Sequence, residues 1–250
     1  MPHQAATETN FGIFQGRRMR IIVAEYPKSG GSWLCNLLGE LLQLPPRDIY
    51  VDDTNHAPHL AMHPWYKNEN TFSLPPSCVI KSHEKPGSGL HDFEHATVHL
   101  VRDGRDVTVS KYYFEKEFCV LNGFNDRFDI PFNIFLTKTA LEWVEYLDSW
   151  RGKQQVVCSY EKLIEDPVTT LNSLGHRLGF DFSRDAIGLA LEKHSKSNMR
   201  ASLSFFKGEF VRKGIVGDWK NIFDDTSKYI FKKHAGNALI ELGYEKDLTW

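Results

Sequence analysis

Four short stretches of this chain bring together residue types suited to handling phosphate and moving a proton. The first is YPKSGGSW at residues 26–33, set between the apolar run 21–24 and a leucine-rich stretch from Leu34 to Leu42. A strand, a tight loop and a helix in that order gather backbone N–H groups at a helix N-terminus, where the helix dipole also favours an anion. Gly30 and Gly31 let backbone and ligand approach closely, and Lys28 adds a full charge. The bland alternative is a plain strand-to-helix turn. The Walker A pattern is not met, because Lys28 precedes the glycines instead of following them and no Lys-Ser or Lys-Thr pair closes the loop.

The second stretch is VHLVRDGRDVTVS at 98–110. Arg102 ends an apolar run and Ser110 falls on the first turns of the next helix, so a guanidinium and a hydroxyl meet at a corner suited to a second phosphate. Asp103 and Asp106 read as a capping pair. The third stretch, Arg212-Lys213-Gly214, offers two more cations beside a compact backbone, and the fourth, Lys81-Ser82-His83, ends another apolar run in a histidine whose ordinary pKa suits a general base.

These groups need elements to hold them. Strands are predicted at 20–24, 78–81, 97–101 and 155–158, and helices at 33–44, 103–117, 134–150, 167–178, 184–193 and 227–242. Strands alternating with helices predict an α/β fold, a single domain with a central parallel sheet flanked by helices and a P-loop-like loop after the first strand. Ligands of such sheets lie outside the carboxyl ends of the strands, where three of the stretches fall: the loop after Ala24, the end of 78–83 and the start of 102–106. Residues 1–18 read as a loose N-terminal segment and 19–250 as the domain. Residues 45–77 and 196–220 read as long irregular segments of the kind that form lids and binding loops.

Composition narrows the classes further. The formal net charge of −2 over 250 residues argues against a dedicated nucleic-acid binder. No apolar run approaches the length of a membrane span, and residues 1–18 lack a signal core. Cys35, Cys78, Cys119 and Cys158 are scattered with no CxxC pair, so free thiols in a reducing, cytoplasmic setting are expected. His56, His59 and His63 have metal-like spacing near Asp52 and Asp53, but are read as an acceptor-binding or surface loop, with no metal expected.

Taken together, the motifs resemble those of the PAPS-dependent sulfotransferases, where PAPS is 3′-phosphoadenosine 5′-phosphosulfate. YPKSGGSW is similar to that family's YPKSGTTW loop, VRDGRDVTVSKYYF to its 3′-phosphate motif, and RKGIVGDWK to its RKGxxGDWK signature. The three occur in the family's order and span residues 20–221. The resemblance implies that Lys28, Ser29, Gly30, Gly31, Ser32 and Trp33 hold the 5′-phosphosulfate, with Trp33 stacking on adenine. It implies that Arg102, Ser110, Arg212, Lys213 and Gly214 hold the 3′-phosphate, and that Tyr160 contacts the adenine. His83 of Lys81-Ser82-His83 stands at the family's catalytic base. Lys28 would steady the bridging oxygen and Lys81 the sulfuryl oxygens.

The sequence departs from the family in three places. Gly31-Ser32 replaces Thr-Thr, Lys196 stands where an aromatic is usual in the adenine segment, and the KxxxTVxxxE dimerisation motif is missing, which leaves the oligomeric state open. The expected reaction is in-line transfer of the sulfuryl group from PAPS to a hydroxyl or amine of a small or medium acceptor, giving PAP. Aromatics available for an acceptor pocket are Trp65, Tyr66, Phe72, Phe114, Phe118, Phe132 and Phe135. A nucleotide or metabolite kinase and a non-catalytic PAP- or PAPS-binding protein are the competing readings.

Overall fold

In a computed structural model the described residues are 19–50, 74–88, 90, 95–123, 126–153, 155–202, 207 and 211–250. Five parallel strands form one sheet in the order β2-β3-β1-β4-β5: β1 (Arg20–Glu25), β2 (Pro46–Asp48), β3 (Cys78–Ser82), β4 (Ala96–Val101) and β5 (Val156–Ser159). β1 lies in the middle, with Val23 level with Lys81 on β3 and Val98 on β4. The strand is apolar on both faces because helices cover both faces. Ile21 and Val23 join the core formed with α1 (Gly31–Leu42), α5 (Pro167–Leu178) and α6 (Arg184–Lys193). Ile22 and Ala24 join the opposite core, with Trp143 of α3 (Phe132–Trp150) and Phe231 of α8 (Asp225–Glu241).

The strand ends lie at one edge of the sheet, and the segments leaving them carry the candidate residues. β1 opens into the loop 26–30, β3 into His83, β4 into Arg102 and then α2 (Gly104–Tyr113), and β5 directly into the short helix α4 (Tyr160–Glu165). Leu34, Leu37 and Leu38 are fully buried and fix α1 against the sheet, so its N-terminus is held rigidly at this edge.

Several expectations need correction. The helix expected over 103–117 is α2 followed by a π-helical turn, Phe114–Cys119, which brings the Phe114 ring under the Lys28 amine. The segment 45–77 contains β2, an edge strand that begins at Pro46, where a missing N–H is tolerated. The segment 196–220 contains α7 (Lys196–Ser202) and a 3₁₀ turn, Asp218–Asn221. Helix α4 was not expected at all.

Candidate active site

The loop expected to hold phosphate is built from strained and buried parts. Lys28 has a left-handed backbone, φ 76°, as does Gly30 at φ 104°. A lysine in that region is uncommon, and such outliers gather at functional sites. Ser29 is buried, and both its N–H and its hydroxyl donate to the Tyr26 carbonyl, which tightens the turn. Gly30 is needed for a second reason, since a Cβ there would lie 2.6 Å from the Tyr160 ring. Trp33 donates its indole N–H to the His194 carbonyl at 3.0 Å and meets the Tyr160 ring edge to face. The two residues assigned to adenine are thus neighbours, with Ser32 between the loop glycines and Trp33 in the first turn of α1.

Beneath the loop lies a cluster of titratable groups. Lys81 of β3 pairs with Asp48 of β2 at 2.8 Å. Burial works against both charges, but their mutual attraction wins, so the Lys81 pKa is raised and that of Asp48 lowered. Lys28 is pushed down to about 7, first by burial and then by Lys81. Glu25, at the end of β1, is fully buried and is raised to about 7 by that burial, in spite of Lys81 and the Gly31 N–H.

His83 is anchored from three sides. Its backbone N–H donates to the Tyr50 hydroxyl at 2.8 Å, its ring stacks on Tyr50, and its Nδ1 lies 3.0 Å from the Glu25 carbonyl oxygen. A carbonyl only accepts, so Nδ1 carries the hydrogen and Nε2 carries the lone pair. Burial, then Lys81, lowers the His83 pKa to about 3, and the ring is neutral near pH 7. A neutral imidazole with a fixed tautomer is what proton abstraction requires.

The side expected to hold the 3′-phosphate is built differently. Arg102 spans the loop and the C-terminal segment, donating to the carbonyls of Lys28 at 3.0 Å and Ile215 at 3.2 Å, with its guanidinium 4.3 Å from the Tyr160 ring centre. Arg212 and Lys213 both bind Asp218, at 2.6 and 2.8 Å. Burial disfavours the Asp218 charge, but those hydrogen bonds overcome it and hold the pKa at about 2. Asp106 is not a helix cap: its two carboxylate oxygens accept the N–H groups of Gly217 and Trp219 and tie the C-terminal segment to α2. Asp103 does cap α2, accepting the Arg105 N–H, and it also grips the Arg105 guanidinium. Lys196 donates to the Lys213 carbonyl and Arg200 to the Val211 and Arg212 carbonyls, so α7 braces Arg212, Lys213 and Gly214.

Within this frame the Nε atoms of Arg102 and Arg212 are buried without a hydrogen-bond partner. Two guanidinium donors left unsatisfied, one after β4 and one in the C-terminal segment that Arg102 contacts at Ile215, fit an anion with several acceptor oxygens. Ser110 stands half-buried on the same helix as Asp106.

A sulfotransferase domain model matches residues 18–243. The chain belongs to the sulfotransferase family. It is 26% identical over 242 residues to mouse sulfotransferase 2A6, covering 85% of this chain and 81% of that protein, and 26% identical over 249 residues to human sulfotransferase 2A1, covering 90% and 86%. Among solved structures, its fold matches a mouse sulfotransferase complexed with PAP at TM-score 0.65 and 19% identity, over 87% of this chain and 85% of that one. A retinol dehydratase in complex with retinol and PAP matches at TM-score 0.66 and 18% identity, over 89% and 82%. The likeness to PAPS-dependent sulfotransferases drawn from the three motifs therefore holds, this sulfotransferase is an enzyme of sulfuryl transfer, and the kinase reading is not favoured.

Sequence reasoning missed Glu25, Asp48, Asp218 and Arg200, all of which meet the expected site residues across elements. Of the expected acceptor aromatics, Phe118 and Phe135 are buried, Phe114 lies under Lys28, and Trp65, Tyr66 and Phe72 lie outside the described residues. So do His56, His59 and His63. Among the described residues no helix is long and apolar enough to cross a membrane, and all four cysteines are free and buried.

Proposed function

We propose that this sulfotransferase transfers the sulfuryl group of PAPS to a hydroxyl or amine of a small or medium organic acceptor, with His83 as the base and no metal. PAPS supplies an activated sulfuryl group and a stable anionic leaving group. The observation that carries the reading is the pairing of two features at one sheet edge. One is the neutral, anchored His83 beside the phosphate loop, and the other is the pair of buried, unsatisfied Arg102 and Arg212 donors.

The chain's own residues divide the work. Nε2 of His83 takes the acceptor proton while Nδ1 stays bonded to the Glu25 carbonyl. Lys28 places its amine where negative charge grows on the bridging oxygen, and its pKa near 7 allows it to hold or release a proton with the charge in the site. Lys81, kept charged by Asp48, faces the sulfuryl oxygens from the sheet. Residues 28–33 bind the 5′-phosphosulfate. Arg102, Ser110, Arg212, Lys213 and Gly214 bind the 3′-phosphate, and Trp33 and Tyr160 flank the adenine. The four buried free thiols favour a reducing, cytoplasmic compartment.

The test is a panel of phenols, alcohols and amines incubated with PAPS, with PAP release followed. Acceptor-dependent release in the presence of a strong chelator is expected. PAP binding without release for any acceptor would instead mark a non-catalytic PAPS-binding protein, and restoration by one added metal after chelation would bring His56, His59 and His63 forward.

A further inference from the structure

Helix α1 starts without a side-chain cap of its own, since Gly30 holds the cap position and no acidic residue lies in the first turn. Glu25, the last residue of β1, fills that place from beneath. Its Oε2 accepts the Gly31 N–H at 2.5 Å, its Oε1 lies 3.9 Å from His83 Nδ1, and the residue is 1% exposed. A Cβ on Gly31 would lie 2.3 Å from the Glu25 carboxyl carbon, and the three nearest atoms to it all belong to Glu25. The Gly31 backbone is not left-handed, so it is the carboxyl group that demands a glycine where the family's loop usually carries threonine.

The groups facing this carboxyl are Lys28 from the loop, Lys81 from β3, Asp48 from β2, His83 beyond β3 and Tyr146 from α3. Burial outweighs the two lysines and raises the carboxyl to about 7, so both of its forms are within reach near neutrality. An ionised carboxylate on the Gly31 N–H opposes any anion placed on the same loop. The protonated acid keeps its carbonyl oxygen for that N–H and loses the charge.

We propose that Glu25 is a positioning residue of the cofactor site, capping α1 under the phosphosulfate loop and acting in its uncharged form when the cofactor is bound, with Gly31 as the position that admits it. The inference rests on the assignment of the phosphosulfate to residues 28–33. By linkage, binding an anion there draws a proton onto Glu25.

Titration calorimetry with PAP tests it. Glu25→Gln is isosteric with the acid form, so the variant and the wild type should bind PAP with the same affinity at about pH 6. At about pH 8.5 the variant should bind about tenfold tighter. Lys28 titrates over the same range and is coupled to Glu25, each shifting the other, so the pair is also compared in a Lys28→Arg background, where the loop cation keeps its charge and the pH-dependent ratio should persist. An unchanged ratio at the two pH values, or weaker binding by the variant at both, would overturn the proposal. A second comparison tests the pairing. Gly31→Ala should weaken PAP binding about tenfold in the wild type and less than about threefold in a Glu25→Ala background. Equal losses in both backgrounds would overturn it. Lys28→Ala separates the two levels: PAP affinity insensitive to Lys28 would sink the loop assignment, and this inference with it. Sensitivity to Lys28 with a flat Glu25→Gln ratio would sink the role of Glu25 alone.

Discussion

The two ends of the candidate cofactor site use opposite electrostatics. Under the loop, Glu25 and Lys28 are both moved to about 7 and His83 to about 3, by burial more than by any partner. At the far end the cations are Arg102, Arg212 and Lys213, and Asp218, which pairs with the last two, is held at about 2. At the first end Glu25 and Lys28 can exchange protons near neutrality while His83 stays neutral, and at the other, the fixed end, Asp218 stays charged. The division fits the proposed roles, in which a proton leaves the acceptor at the first end and a phosphate is only held at the second. A site built from arginine at both ends would bind the cofactor as well but would lack a group able to take a proton.

The sharpest way to break this contrast is His83→Ala. Transfer to a hydroxyl acceptor should fall by about 10²–10⁴-fold while PAP affinity barely changes, since the imidazole works on the acceptor proton. Lys28→Ala should lower both PAP affinity and turnover. If His83→Ala keeps near-full turnover across neutral pH while PAP still binds, the first end holds no base. The pH profile carries the same sign. With its pKa at about 3, His83 stays deprotonated at any higher pH, so it should add no step to kcat/KM near 6.5, the ordinary histidine value, and a step near 7 should belong to Lys28 and Glu25. Stability runs the other way: the unfolded chain takes the histidine proton first, so stability is lost as pH falls from about 6.5 towards 3. Thermal melts of wild type and His83→Ala over that range would show the difference.

At the fixed end, Asp106→Ala removes the acceptor of two backbone N–H groups and should cost about 3 kcal/mol of unfolding free energy, read by urea denaturation. Arg102→Ala should cost about 1.5–3 kcal/mol of PAP affinity, with little dependence on pH between about 6 and 9. A strong pH dependence of that loss would merge the two ends and dissolve the contrast. AMP should bind more weakly than PAP to the wild type, and the gap should narrow in Arg102→Ala, where the 3′-phosphate has lost a partner.

What could be read from the sequence was local. The four long strands are apolar runs with no other use, and the loop at 26–33 announces itself by glycine and charge packed between a strand and a helix. The missed features are partners far apart in sequence. Glu25 looks like the polar end of an apolar run, and nothing in its spacing shows that it lies against His83, 58 residues away. Asp106 carries the signature of a helix cap, but its oxygens are used by Gly217 and Trp219, 111 and 113 residues on. β2 was hidden by its proline, which the pattern of a central strand forbids but an edge strand permits. Only α4 had a readable local signal: Ser159 caps it by accepting the Lys162 N–H.

The smallest effect is expected at Lys213, and it tests whether the fixed end is graded from its buried side outward. The Lys213 side chain is 46% exposed, against 22% for Arg212, and both reach the same Asp218 carboxylate. In Lys213→Ala the Arg212–Asp218 pair remains, and the backbone that presents Gly214 is still braced by Lys196 and Arg200 through carbonyl groups that the substitution leaves in place. An exposed ammonium contributes little because water and salt screen it, so the loss of PAP affinity should be at most about 1 kcal/mol. It should shrink further in about 0.5 M salt, where the screening length is shorter than the spacing of exposed charges. A loss matching that of Arg102→Ala and persisting in salt would mean that Lys213 turns inward onto the 3′-phosphate when PAP binds. Asp218 would then act as a temporary partner for that lysine, and the end described here as fixed would rearrange with each binding event.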